Sequence, residues 1–100
     1  LTHYGPAYGF TPAGRGEKAE KWVKSVNDKA FVGALLNMNC EAALLHAAKK
    51  ASACSAGAAV AALGFALETG ATEALLLGYG TSLEIRNDDS FVGYAAIAFI

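Results

Sequence analysis

Two apolar runs close the chain and constrain its fold more than any other feature. Residues 73–80 and 90–99 are rich in leucine, alanine and aromatic side chains, and the polar stretch 81–89 separates them. Short apolar runs bounded by turn residues are typical of strands, and a hairpin is the simplest connection between them. The second run is almost continuous in apolar residues, which predicts a strand covered on both faces.

Helices are predicted before these strands. Residues 17–26 place apolar side chains on one stripe and lysines and glutamates opposite, which is the pattern of an amphipathic surface helix. Asp28 can cap the amino end of a second helix that ends near Asn37, and Asn39 can cap a third. The helical spacing therefore divides the segment 17–50 into three helices.

The third helix is predicted to turn Leu44, Leu45 and Ala48 inward. A connector over 51–54 then leads to an alanine-rich helix over 55–69, which a glycine ends. Alanine side chains bury little area but let neighbours approach closely, so such helices usually pack against a sheet. The pattern predicts an α/β chain of about four helices plus a C-terminal β-hairpin.

Composition limits the class of protein. The chain has 100 residues, of which 54% are hydrophobic, and its net charge is −1. Residues 1–100 therefore suit one domain or domain fragment that buries a core. A net charge this close to zero provides no excess of positive charge for binding nucleic acid or an anionic membrane. The longest apolar run, 56–67, is too short to span a bilayer, and two cysteines without paired spacing suit a reducing cytoplasm. No signal peptide or membrane anchor is recognisable.

Cys54 is the position whose placement most suggests chemistry. It lies at the predicted amino end of the fourth helix, where unpaired backbone N–H groups favour a thiolate, and small residues follow it. A buried structural thiol is the commoner role for a cysteine chosen on spacing alone. Cys40 lies beside Glu41, which disfavours a thiolate, so a structural role is expected there.

His3 is the second candidate. It lies in an aromatic, glycine-rich segment where a rigid turn could fix an imidazole as a base, a hydrogen-bond donor or a ligand; the alternative is a loop histidine bonded to the backbone. His46 has lysines one turn further along its helix and is interpreted as a surface residue. The stretch 78–82 could cradle an anion through backbone amides and hydroxyls, and the acids at 88–89 suit a polar turn.

Four motifs together resemble the Memo family, whose bacterial members are called AmmeMemoRadiSam system protein B. They are Thr-His-Tyr-Gly-Pro-Ala-Tyr-Gly-Phe-Thr-Pro at 2–12, Ala-Cys-Ser-Ala-Gly-Ala at 53–58, Tyr-Gly-Thr-Ser at 79–82 and Asp-Ser-Phe-Val-Gly-Tyr-Ala-Ala at 89–96. The first and last are specific, and the small-residue helix is not. The resemblance covers the whole chain but only the C-terminal portion of such proteins.

The resemblance implies a fold similar to class III extradiol dioxygenases, a mixed sheet flanked by helices. It also implies that Cys54 and His3 match the family's site cysteine and one site histidine, while two further histidines lie upstream of the matched portion. The family commonly has glycine after the cysteine, where this chain has Ser55. Iron or copper is the implied metal, and radical-SAM and AMMECR-type proteins are the implied partners.

Three functional hypotheses follow. In the first, the full-length protein is a metal-dependent oxidoreductase with Cys54 as a thiolate ligand and His3 as a ligand or proton donor. In the second, the same cleft binds a peptide or small anion, as a signalling adaptor would. In the third, the 100-residue piece is inactive alone. An unfinished sheet would leave an apolar face, so oligomerisation is expected.

Overall fold

The computed structural model describes residues 1–100. The helical elements are α1 (Glu17–Trp22), a π-helical segment (Val23–Asn27), α2 (Asp28–Leu36), α3 (Cys40–Lys50) and α4 (Ala56–Glu68). The strands are β1 (His3–Tyr4), β2 (Ala74–Thr81) and β3 (Phe91–Phe99), and short 3-10 helices occupy Pro6–Tyr8 and Ser82–Glu84. The α/β class and the C-terminal hairpin predicted from the sequence are both confirmed.

The three strands form one antiparallel sheet in the order β1-β3-β2. Thr81 lies opposite Gly93 at one end of the hairpin and Ala74 lies opposite Phe99 at the other, with an irregularity between Leu76 and Gly78. β1 is only two residues long and pairs Tyr4 with Phe91 and His3 with Val92. The central strand β3 therefore pairs with β1 through its first two residues and with β2 from Gly93 onward.

β3 is covered on both faces only in part, so that prediction is corrected. Phe91, Val92 and Gly93 are buried, whereas Tyr94, Ala95 and Ala96 are exposed. The difference arises because the helices cover the remainder of the sheet incompletely. Leu75–Leu77 of β2 are also exposed, and we call these three leucines the open end of the hairpin.

The first two helices are one continuous helix, not two. α1, the π-helical segment and α2 follow one another without a turn, and Asp28 has helical dihedral angles of φ −65° and ψ −40°. The prediction of Asp28 as an N-cap is therefore wrong. Its side chain is buried and accepts hydrogen bonds from distant residues, a use of the carboxylate that local spacing does not reveal.

Helix α3 begins as predicted but faces the core with a different residue. The Asn39 side chain accepts a hydrogen bond from the Ala42 amide at 3.0 Å, as an N-cap should. Ala43 is the buried residue of this helix, whereas Leu44 and Leu45 are 44% and 49% exposed, so the predicted inward face is wrong. A small side chain at the contact lets α3 approach α2 and α4 closely, and the leucines lie towards the rim.

The core consists of two hydrophobic clusters. The first contains Tyr4, Ala19, Val23 and Phe91, and the second contains Phe31, Leu35, Ala43 and Leu63. On the long helix, the buried polar residues Asn27 and Asp28 lie between the segments that supply the two clusters. None of the helices is long and apolar enough to cross a membrane.

Candidate functional site

Cys54 is exposed and lies two residues before α4 begins at Ala56. The sequence prediction of its place at the amino end of this helix is therefore confirmed. Ser55 occupies the N-cap position, and its side chain makes no capping hydrogen bond. The connector that carries Cys54 also contains Ala51, whose φ of 50° is left-handed and which ends α3.

His3 begins strand β1, so it lies on a short strand, not in a loop. Its Nδ1 atom is 3.1 Å from the carbonyl oxygen of Leu1, and because the carbonyl can only accept, Nδ1 carries the proton. The Nε2 atom then keeps a free lone pair for a proton or a metal. The Tyr8 ring meets the imidazole edge-on, with ring centres 5.0 Å apart and planes at 87°.

The structure brings the two predicted residues together. A cleft of about 440 Å³ is lined by His3, Tyr8, Gly9, Phe10, Ala51, Ala53 and Cys54. The histidine enters from β1, the aromatic residues from the segment that follows it, and the cysteine from the connector before α4. An imidazole and a thiol thus share a cleft with aromatic walls, which we call the His3–Cys54 cleft.

The donor types of this cleft suit iron or copper, but their number is small. A thiolate and an imidazole are appropriate ligands for both metals. No group of three or more histidine, cysteine, aspartate or glutamate side chains could hold a metal ion within this chain. The chain therefore supplies two donors of the right chemistry, and a tightly bound metal requires more.

A second, apolar groove adjoins the cleft. It has a volume of about 340 Å³, and it shares Ala53 and Cys54 with the His3–Cys54 cleft. Its walls come from the long helix, from α4 and from β3, and include Phe31, Leu35 and Ile97. Cys54 therefore lies where an aromatic cleft with one imidazole meets a hydrophobic groove.

His46 does not line the cleft and differs from its prediction as a surface residue. It is half-buried, and its Nδ1 atom is 2.7 Å from the hydroxyl of the buried Ser52. Burial lowers the pKa of His46, and the positive charge of Lys50 lowers that pKa further. Cys40 is partly buried against the second core cluster, in agreement with its expected structural role.

The stretch 78–82 uses its side chains within the fold. The Thr81 hydroxyl accepts a hydrogen bond from the Leu83 amide at 3.2 Å, and the Ser82 hydroxyl accepts one from the Val92 amide at 3.0 Å. These bonds favour a structural role over an anion cradle. The acids at 88–89 also act locally, since Asp88 accepts a hydrogen bond from the Ser90 amide at 3.0 Å, as a polar turn predicts.

Sequence reasoning missed a buried polar cluster beside the cleft, formed by Thr2, Asn27, Asp28 and Tyr79, which we call the polar junction. One Asp28 oxygen accepts from the Thr2 amide at 2.9 Å and from the Thr2 hydroxyl at 2.5 Å. The other accepts from the Tyr79 hydroxyl at 2.7 Å. The available signal was an Asn-Asp pair inside an otherwise helical pattern.

Two further features follow from the carboxylate of Asp28. Burial raises the pKa of Tyr79, and the hydrogen bond to Asp28 raises it further, so the phenol stays protonated and donates. Gly93 approaches Asp28 so closely that a methyl group in place of its hydrogen would collide with the carboxylate. Three of the four family-like motifs thus each place one residue against Asp28, namely Thr2, Tyr79 and Gly93.

Comparisons with known proteins identify relatives of this chain. It is 35% identical over 100 residues to a MEMO1 family protein of Thermococcus onnurineus, covering 97% of this chain and 34% of the relative. It is 37% identical over 98 residues to a MEMO1 family protein of Methanococcoides burtonii, covering 97% of this chain and 32% of the relative. The chain thus spans about a third of the length of these curated relatives. No protein-family model matches it, and no solved structure matches it.

Proposed function

The chain belongs to the MEMO1 family, and on that premise we propose that His3 and Cys54 are part of a metal-dependent redox site in the full-length protein. The observation that carries the proposal is their meeting in one cleft, although they lie on separate elements far apart in sequence. The metal is iron or copper, held by the Cys54 thiolate and by Nε2 of His3. When bound, such a metal supplies one-electron chemistry with dioxygen.

The residues of the chain have defined tasks in this proposal. The Leu1 carbonyl orients the imidazole by accepting from Nδ1, so that Nε2 is the free nitrogen. Tyr8 and Phe10 form aromatic walls of the cleft. The adjoining apolar groove suits the hydrophobic part of an organic substrate. The remaining ligands are contributed by residues outside the third of the family length that this chain matches.

The wider features of the family belong to the same proposal. The helix-flanked sheet forms the C-terminal part of a fold related to class III extradiol dioxygenases, and the 100-residue chain alone is inactive because its ligand set is incomplete. Radical-SAM and AMMECR-type proteins are the proposed partners. The exposed leucines of the open end favour self-association of the chain when it is alone.

The experiment compares the two cysteines of the chain and tests His3. In the full-length protein, Cys54→Ala and His3→Ala should each lower bound iron or copper by at least about 10-fold and abolish metal-dependent oxygen consumption. Cys40→Ala is the matched control, since Cys40 packs against the core and does not line the cleft. Equal metal content in wild type, Cys54→Ala and Cys40→Ala contradicts the proposal.

A second candidate function is recognition of a peptide or small anion, and the aromatic lining of the cleft favours it. Tyr8 and Phe10 would contact an apolar side chain, and His3 would anchor a polar group. Titration of the metal-free protein with phosphate or a phenyl phosphate separates the two functions. Binding that His3→Ala abolishes, in a protein that takes up no metal, favours recognition over redox chemistry.

A further inference from the structure

The proposed site depends on two elements that are not joined directly. His3 lies on β1, which pairs only with β3, and Cys54 lies on the connector between α3 and α4. No backbone hydrogen bond links residues 1–5 to residues 50–55. The spacing of the imidazole and the thiol must therefore be set by side chains.

Asn27 is the residue that spans the gap. It is buried, and its Nδ2 atom donates to the hydroxyl oxygen of Thr2 and to the carbonyl oxygen of Lys50, each at 3.0 Å. Thr2 immediately precedes His3, and Lys50 ends α3 immediately before the connector that carries Cys54. One amide group thus holds both sides of the cleft.

Asp28 prepares the Thr2 hydroxyl for this contact. Because the hydroxyl proton is donated to Asp28, the oxygen presents its lone pairs, one of which accepts from Asn27. The Thr2 amide donates to the same carboxylate oxygen. These two hydrogen bonds therefore fix the position of the backbone at Thr2 and the orientation of its hydroxyl.

The helix is built so that both residues can face Thr2. Asn27 ends a π-helical segment and Asp28 begins α2, and both consecutive side chains are buried. π-helical turns are rare and are found frequently at functional sites. His46 also holds the connector by bonding to Ser52, but no hydrogen bond joins His46 to β1.

We propose that Asn27 is a positioning residue for the His3–Cys54 cleft, setting the distance between imidazole and thiol through its two hydrogen bonds. Asp28 supports it by orienting Thr2. The ligand of the cleft, a metal ion, rests on the proposed function. The role of Asn27 in positioning the cleft does not depend on that function. Loss of the Asn27 amide therefore loosens the connector whether or not a metal is bound.

The test uses variants that remove one end of the bridge at a time. Asn27→Leu removes both donated bonds with a side chain of similar size, and Thr2→Val removes the hydroxyl that accepts from Asn27 and donates to Asp28. Thr2→Ser keeps the hydroxyl and should behave as wild type. Tyr79→Phe is the matched control, because it removes a bond to Asp28 without touching Thr2, Lys50 or the cleft. Thr2→Val keeps the test decisive if Asn27→Leu does not fold.

Two measurements are made on the full-length protein. Amide hydrogen exchange reports the mobility of the connector at Ala51, whose amide donates to the Ala47 carbonyl at 3.0 Å, relative to the core amides of Phe31 and Leu35. Cobalt(II) titration reports affinity through the thiolate-to-metal absorption band. Asn27→Leu and Thr2→Val should accelerate exchange in the connector at least about 10-fold more than exchange in the core, and they should weaken cobalt binding about 10-fold. Thr2→Ser and Tyr79→Phe should change neither quantity.

Unchanged connector exchange in the variants overturns the positioning role, as does an equal effect of Tyr79→Phe. If wild type binds no cobalt, the proposed metal function fails, and the exchange measurement alone decides whether Asn27 positions the cleft. Faster exchange with unaltered cobalt affinity also overturns the proposal, because the spacing of His3 and Cys54 would then not depend on Asn27.

Discussion

The two ends of the hairpin are stabilised in opposite ways. At one end, Tyr79 and Gly93 contact the buried carboxylate of Asp28, and no fully buried side-chain nitrogen or oxygen lacks a hydrogen-bond partner. At the open end, Leu75–Leu77 remain exposed, and Leu77 is 67% exposed. Buried polar groups need specific partners, whereas apolar contacts are non-directional. The chain therefore fixes its geometry at the polar junction, next to the His3–Cys54 cleft.

Removing the central carboxylate tests this contrast most severely. Asp28→Ala leaves the buried Thr2 amide and hydroxyl and the partly buried Tyr79 hydroxyl without their acceptor. Each orphaned donor costs about 1–3 kcal/mol, so the free energy of unfolding should fall by about 3 kcal/mol or more. Chemical denaturation measures it. A loss below about 1 kcal/mol would show that the junction does not organise this end of the hairpin.

Filling the close approach at Gly93 should have the next largest effect. Gly93→Ala forces the new methyl group against Asp28, and overpacking of this kind costs about 1–3 kcal/mol. Gly78→Ala is the matched control on the neighbouring strand, because a side-chain carbon there meets no atom within 4 Å. Thermal unfolding of both variants makes the comparison, and equal transition temperatures would contradict the account.

Acid should weaken the side of the molecule that holds the connector. The pKa of His46 lies below its ordinary value of 6.5 in the folded protein, so the unfolded state binds the proton more readily. Its contribution to stability is therefore complete above about pH 6.5 and is lost as the pH falls below that value. His46→Gln should show a shallower decrease in the free energy of unfolding between pH 7.5 and 5. Identical slopes would contradict this assignment.

The smallest effect on stability is expected at the open end. Leu77→Lys should change the free energy of unfolding by less than about 0.5 kcal/mol, since the side chain is mostly exposed. The same change should lower self-association of the 100-residue chain, which light scattering measures. A wild-type chain that is monodisperse and monomeric would contradict the expected role of the exposed leucines.

The sequence was sufficient for the elements whose signals are local. The hairpin, the Asn39 cap and the start of α4 near Cys54 follow from apolar runs and capping residues within a few positions. Asp28 could not be assigned in this way. An aspartate before an apolar run resembles an N-cap, but its real partners, Thr2 and Tyr79, lie far away along the chain.

The candidate site is predictable only through resemblance. Spacing alone favours a structural thiol at Cys54, and it gives no reason for His3 to lie near it. The family motifs linked the two residues, and the structure places both on one cleft. The bridge through Asn27 has no local signature, because it depends on a π-helical segment and on the carbonyl of Lys50.

The most direct test of a shared site is X-ray absorption at the metal edge of the full-length protein loaded with iron or copper. The account predicts one sulfur neighbour and at least one imidazole, with the sulfur lost in Cys54→Ala and retained in Cys40→Ala, and with imidazole scattering reduced in His3→Ala. A metal without a sulfur neighbour, or a sulfur signal that persists in Cys54→Ala, would contradict it.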